Sequence, residues 1–361
     1  MLRTVKGDNV AKPPAKKSAI QKAATQKTTA KITATKKSSA KKDPTSPQAL
    51  AREMLAMLAS KFGPDELILP SDVDALIASL HGPSAHEGLN DAEADKKDEA
   101  QQIAFDAIEA ETETAARKLA KRALRLDPDC VDALVLMNDL DALTQTARIE
   151  GPKKAVEAGE RALGTRFIQK NKGHFWLLLE TRPWMRAQER LASELKEAGL
   201  NLDAIGIYER MLELNPNDNQ GVRDPLLGLS LTVGDLKGTS KLLKKYESDA
   251  LANFAWGRVL ERFLAGDRAG AKETLKIARA ANRHVELYMT ARKPLPEEPP
   301  EMYSPGSEEE AVLVLSSLGS AWAAHKEASF WLFDELQPSG SKLAQRKHQL
   351  ERIPTKGKKV Q

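Results

Sequence analysis

From about residue 99 onward the chain alternates apolar and polar positions with the period of helices that each bury one stripe. In IGIYERMLELNPND (205–218) the large apolar residues share one face, and the pattern stops at Asn-Pro-Asn-Asp. RALRLDPD (122–129) stops in the same way. A proline there disfavours the helical region for the residue before it, so both segments read as helix ends. Sustained two-residue alternation of β-branched residues is missing, so no strand is expected. The pattern predicts an all-α chain of short antiparallel helix pairs.

The same reading divides the rest of the chain. Residues 1–46 are a low-complexity Lys/Ala/Thr/Ser/Pro tail, too poor in apolar side chains to offset the entropy of ordering. Residues 47–98 read as short helices followed by a polar linker. Pro47 opens a stripe of Leu50, Met54, Leu58 and Phe62 that Gly63-Pro64 stops. Ser71-x-x-Asp74 opens a second helix, closed by His81-Gly82-Pro83, and 84–98 is the linker. After the helices of 99–292 comes a Pro-rich connector, 293–306. Ser307-x-x-Glu310 then has a capping-box pattern, and Trp322, Phe330, Trp331 and Phe333 give 307–340 the character of a terminal capping pair. Residues 341–361 are basic and expected to fray.

Internal repetition sharpens the architecture. MRAQERLASELKEAGLNLDAIGIYERMLELNPND (185–218) is a 34-residue helix–turn–helix unit. With Leu191, Ala192, Gly199, Ala204, Tyr208 and Pro216 in place, it resembles the tetratricopeptide repeat. It departs from that motif at Gln188, Leu195 and Met211. Weaker copies carry Ala116, Ala120, Ala123 and Pro128, then Leu226, Leu227 and Gly234, then Gly266, Ala271, Leu275 and Ala278. Residues 132–143 and 153–163 read as another pair, and 164–183 as an insertion. The small positions read as places where two helices approach closely. The resemblance implies an α-solenoid in which each pair buries its apolar side against the next. Across about 170–312 four blocks, GHFWLLLETRPWMRA, ERMLELNPNDNQGVR, AWGRVLERFLAGD and MYSPGSEEEA, occur together. They are similar to a bacterial tetratricopeptide-like group related to the suppressor-of-tumorigenicity repeat family. That resemblance implies a helical adaptor and supplies no reaction.

Charge adds a second feature. Residues 1–42 hold Arg3 and eleven lysines against Asp8, or +11, which leaves −7 for the remainder of a +4 chain. Lys16, Lys17, Lys36, Lys37, Lys41 and Lys42 lie in pairs, in a context that resembles the tails of linker histones and bacterial histone-like proteins. Such an arm would bind nucleic acid without sequence preference and lose affinity with salt. It has no interleaved aromatics for base stacking, and a solvated, solubilising tail is the simpler account of it. Cys130 is the single cysteine, which excludes an internal disulfide. With no run approaching the roughly 18 apolar residues of a membrane span, and no apolar signal core near Met1, a cytoplasmic protein that does not enter membranes is expected.

Candidate chemistry is thin. The six histidines show no metal-ligand spacing, and His81 and His86 lack a third ligand. GDLKGTSK (234–241) has the glycines and lysines of a phosphate loop in the wrong order. Ser193-x-x-Lys196 lacks the companion motifs of acyl enzymes. Cys130, at a helix start, reads as a small buried residue. The expectation is a protein without catalytic residues, metal or cofactor.

The residues that stand out are polar ones on a first helix and the turn after its partner: Arg182, Arg186, Glu189, Arg190 and Ser193, then Asn219, Gln220 and Arg223. In solenoids of the family resembled, first helices line the groove, and Arg forks suit bidentate capture of a partner carboxylate. The alternative is internal use, with Arg182 paired to Glu180, Asn219 capping the next helix and Trp184 in the core. The function expected is a non-enzymatic adaptor that holds a peptide or protein segment. The other expectation is a nucleic-acid-associated protein acting through the basic arm.

Overall fold

The structure, a computed structural model, describes residues 91–336. The basic arm with its six paired lysines, the helices expected between 47 and 83, and the tail 341–361 lie outside the described residues. Among the described residues there are fourteen α-helices, two 3-10 turns and no strand. None of the helices is long and apolar enough to cross a membrane.

Five helix pairs follow one another. They are α1 (Asp91–Ile108) with α2 (Glu113–Leu126), and α3 (Val131–Asp141) with α4 (Gln145–Leu163). After the short α5 (Thr165–Lys170) and the 3-10 turns Phe175–Leu177 and Leu179–Thr181 come α6 (Arg182–Glu197) and α7 (Asn201–Leu214). Then come α8 (Arg223–Thr232) with α9 (Leu236–Lys245), and α10 (Ala252–Leu264) with α11 (Arg268–Ala281). A short α12 (Val285–Met289), α13 (Glu308–Ala324) and α14 (Lys326–Glu335) complete the described chain. Each pair packs on the next, and first helices meet first helices: α1 with α3, α3 with α6, and α8 with α10.

The doubled phrase of the sequence encodes one turn made twice. At the end of α2 the Asp127 N–H donates to Ala123 O at 2.9 Å and Cys130 N–H to Asp127 O at 3.1 Å. At the end of α7 the Asn215 N–H donates to Met211 O at 2.8 Å and Asp218 N–H to Asn215 O at 3.0 Å. Three of the first helices, α6, α8 and α10, also share an ending. Gly199, Gly234 and Gly266 have φ of 75°, 75° and 80°. The residue after each donates back across the turn, Leu200 to Leu195 O (2.9 Å), Asp235 to Ser230 O (2.9 Å) and Asp267 to Arg262 O (3.0 Å). This is the left-handed glycine stop of a helix, which reuses carbonyls left over at the C-terminus.

Three sequence expectations change. Gly199 is not small to admit a neighbouring helix; a Cβ there would meet nothing within 4 Å, and its role is the backbone conformation. Residues 91–98 belong to α1 rather than to a linker. Ala100, Ile103, Ala104 and Ala107 anchor that helix in a small core with α2 and α3, and its polar N-terminal turns extend from the anchor. The helix expected at 153–163 begins at Gln145, capped by Thr144, and runs through the buried Pro152.

One core then extends from Leu163 to Leu332 and includes Trp184, Leu227, Trp256, Leu260, Leu318 and Trp322. At about 1.5–3 kcal/mol per large side chain removed from water, this shared core is what holds the pairs in line.

Candidate interaction surface

The glycine stops set a common register for the first helices. Six residues before each lie Ser193 on α6, Gly228 on α8 and Leu260 on α10. Ten before lie Glu189, Asp224 and Trp256. Thirteen before lie Arg186, Gly221 and Asn253. The residues picked out on α6 therefore have counterparts on or just before α8 and on α10, and two of those counterparts, Gly228 and Trp256, meet α13.

Helix α13 crosses α8 and α10 and also touches α12. Its Ala311, Val314, Leu318, Ala321 and Trp322 are buried, on the stripe facing these helices. The helices come close enough at Gly228 that a Cβ there would lie 2.0 Å from Ser317 O. Trp322 meets Trp256 edge-on, with ring centroids 6.5 Å apart. Both ends are pinned by polar groups. The Glu310 carboxylate, 5% exposed, accepts from Ala252 N (3.3 Å), Asn282 Nδ2 (2.9 Å) and Gly306 N (2.6 Å). Ser307 Oγ accepts from Glu310 N at 3.2 Å, which is half of the expected capping box. At the far end His325 Nε2 bonds Leu231 O at 2.8 Å. Helix α14 lies against α10, where Phe263 and Trp331 stack at 5.1 Å, and reaches α11 through Lys272 and Glu335 at 2.9 Å.

The residues expected to line a groove are mostly engaged within the chain. Arg186 grips Asp132 of α3 through Nε (3.1 Å) and Nη2 (2.5 Å), and that carboxylate is 5% exposed. Arg190 bonds Asp139 of α3 at 2.7 Å and Glu194 at 3.0 Å. Glu189 accepts from Gln220 Nε2 at 2.6 Å, which also reaches Met185 O at 3.3 Å. Arg223 lies apart from these, paired with Asp249 at 2.9 Å and packed on Tyr246 and Phe254. Arg182 donates to Trp176 O and stacks on that ring; it has no carboxylate partner among the described residues, so it does not pair with Glu180. Ser193 is half-buried and Asn219 exposed. The cap expected of Asn219 is supplied by Asp218, which accepts from Val222 N and Arg223 N. Trp184 is core, with its indole N–H donating to Val156 O at 3.0 Å.

Burial dominates the electrostatics of this face. It raises the Asp139 carboxyl against the pull of Arg190, and it raises Glu189 against its bond from Gln220. Asp224 is pushed up to about 6 by burial, opposed by Asn253 and Arg223 and reinforced by Asp249 and Asp218. At the other end, between α1, α3 and the start of α6, lies a cleft of about 590 Å³ whose walls include Phe105, Asp127, Leu179, Arg182 and Arg186. Phe105 is 41% and Leu179 69% exposed, so this stretch of the face is open.

The weaker motifs resolve as structure. Cys130 is buried and its thiol is pushed up to about 11 by that burial, which leaves almost no thiolate at neutral pH. In GDLKGTSK the Asp235 carboxylate takes Gly238 N–H at the start of α9, the place a phosphate would need. No group of three His, Cys, Asp or Glu side chains able to hold a metal occurs among the described residues.

Sequence reasoning missed Gly228, Asn282 and His325, none of which carries a motif. It found Glu310 only as a cap. Comparison of the chain with protein-family models and with curated proteins returns no match.

Proposed function

We propose that the protein is a non-enzymatic adaptor of tetratricopeptide type, an α-solenoid whose first helices form a face that holds a helical or peptide segment of a partner. One observation carries this reading: on α8 and α10 that face already holds a largely apolar helix, α13, seated at the register positions equivalent to Glu189 and Ser193. A surface built to take a helix in this way matches a common mode of peptide recognition. Among the described residues no further helix packs across the adjoining stretch of α3 and α6 as α13 does across α8 and α10, and the cleft edges that stretch, so we take it as the part available to a partner. Arg186 and Arg190, held by their own carboxylates, give that stretch a fixed polar pattern. They do not act as free forks.

The test is photocrosslinking in the cells the protein comes from. A photoreactive residue replaces Ser193 on the proposed face or, as control, Ser240 on the exposed side of α9. Adducts to a discrete partner from position 193 and not from position 240 support the adaptor. Equal labelling from both, or a turnover activity in the purified chain, refutes it.

A further inference from the structure

The covered half of the face has a chemistry of its own. We infer that α13 is an internal ligand of the α8/α10 surface, and that this surface takes a partner's largely apolar helix of the same make when α13 is displaced. The inference rests on the adaptor reading and specifies both the partner and its regulation.

The occupant defines what fits. Between Ala311 and Ala324 it has no charged residue. It presents apolar groups at 311, 314, 318, 321 and 322. Only a small backbone-to-backbone gap at Gly228 receives its middle. Ahead of the apolar stripe stand Glu308, Glu309 and Glu310, of which Glu310 is buried and meets the Ala252 N–H at the start of α10 and the Asn282 amide at the end of α11. A competing helix needs that same order: a carboxylate to be buried at the start, then an uncharged stripe with a bulky aromatic about three turns on to meet Trp256.

Three features mark α13 as tethered to the surface, although its buried stripe joins the shared core. It follows an 18-residue connector, 290–307, which is exposed over most of its length. It crosses the first helices of two successive pairs, α8 and α10, and meets its own successor α14 less extensively. Its ends are fixed by side-chain hydrogen bonds, from Glu310 and His325, to backbone that belongs to the array. A segment so attached has an effective concentration on the order of mM, which excludes weak competitors and admits strong ones.

The experiment cuts the tether in the intact chain. A protease site is placed in the exposed stretch 295–299, and a fluorescent peptide spanning residues 307–336 is titrated before and after cleavage. Expected is binding at least about 100-fold tighter after the cut, abolished by Leu318→Asp in the peptide. Unfolding or aggregation on cleavage would show α13 to be an inseparable part of the core and overturn the inference. So would a folded, cut chain that does not exchange its fragment for the peptide. Either result leaves the crosslinking from position 193 untouched, so the adaptor reading is judged separately.

Discussion

Two glycines inside helices make a matched pair of perturbations. Gly206 sits in α7, exposed, with nothing within 4 Å of where a Cβ would go. Gly228 sits in α8, where the same Cβ would lie 2.0 Å from Ser317 O and 2.9 Å from the carbon bearing it. Alanine gains roughly 0.5–1 kcal/mol over glycine in a helix interior. Gly206→Ala should therefore stabilise by about that amount. At Gly228 the obstacle is backbone, so α13 must retreat by more than 1 Å, in round terms, to reach ordinary contact. That loosens Val314, Leu318 and Ala321 together, and overpacking of this kind costs about 1–3 kcal/mol. Net of the propensity gain, Gly228→Ala should destabilise by roughly 1 kcal/mol, and the two variants should differ by about 2. Urea denaturation with parallel thermal melts reads the difference, at about 2–4 °C per kcal/mol for a chain this size. If Gly228→Ala proves as stabilising as Gly206→Ala, α13 does not press on α8 and the description of this face is wrong.

Other expectations follow from the polar contacts. Asp224, titrating near 6 in the fold against 3.8 for a free carboxyl, is stabilised in its protonated form. Stability from this group is thus present below about pH 4 and lost as pH rises through 6. Asp224→Asn should raise the melting temperature at pH 7–8 and flatten that slope, by on the order of 1–2 kcal/mol. An unchanged pH profile would refute the assignment. Arg186→Ala leaves the buried Asp132 carboxylate with only Gln101 (2.7 Å) and should cost about 2–3 kcal/mol; Asp132→Asn in the same chain should recover much of it. Native Cys130 should react with a disulfide reagent only at the rate of unfolding, and rapid reaction at neutral pH would contradict its burial. Full chain retained on DNA should be released by salt with a slope that falls when residues 1–46 are removed; an unchanged slope would refute a role for the arm.

How much of this was legible depends on where the information sits. The helix ends were, because Asn-Pro-Asn-Asp and Leu-Asp-Pro-Asp determine local hydrogen bonds that need no tertiary context. Gly199, Gly234 and Gly266 were legible as recurring small positions, but their backbone conformation, the reason for their size, was not. Ala204 and Tyr208 were legible as core, and both are buried. The fate of the α6 arginines was not, since their partners Asp132 and Asp139 lie 54 and 51 residues away and only folding brings them near. The seat of α13 was hidden for the same reason. Its buried stripe can be read from 311–322, but the surface that receives it is marked only by an unremarkable glycine in α8.

Hydrogen exchange resolved helix by helix, in the intact chain at pH 7, is the most direct test of the central claim that α13 is a ligand-like occupant of the first-helix face. The account predicts that α13 is protected, yet opens as a unit at lower free energy than α8 and α10. Exchange of α13 as fast as the 293–306 connector, or only together with α8 and α10, would contradict it.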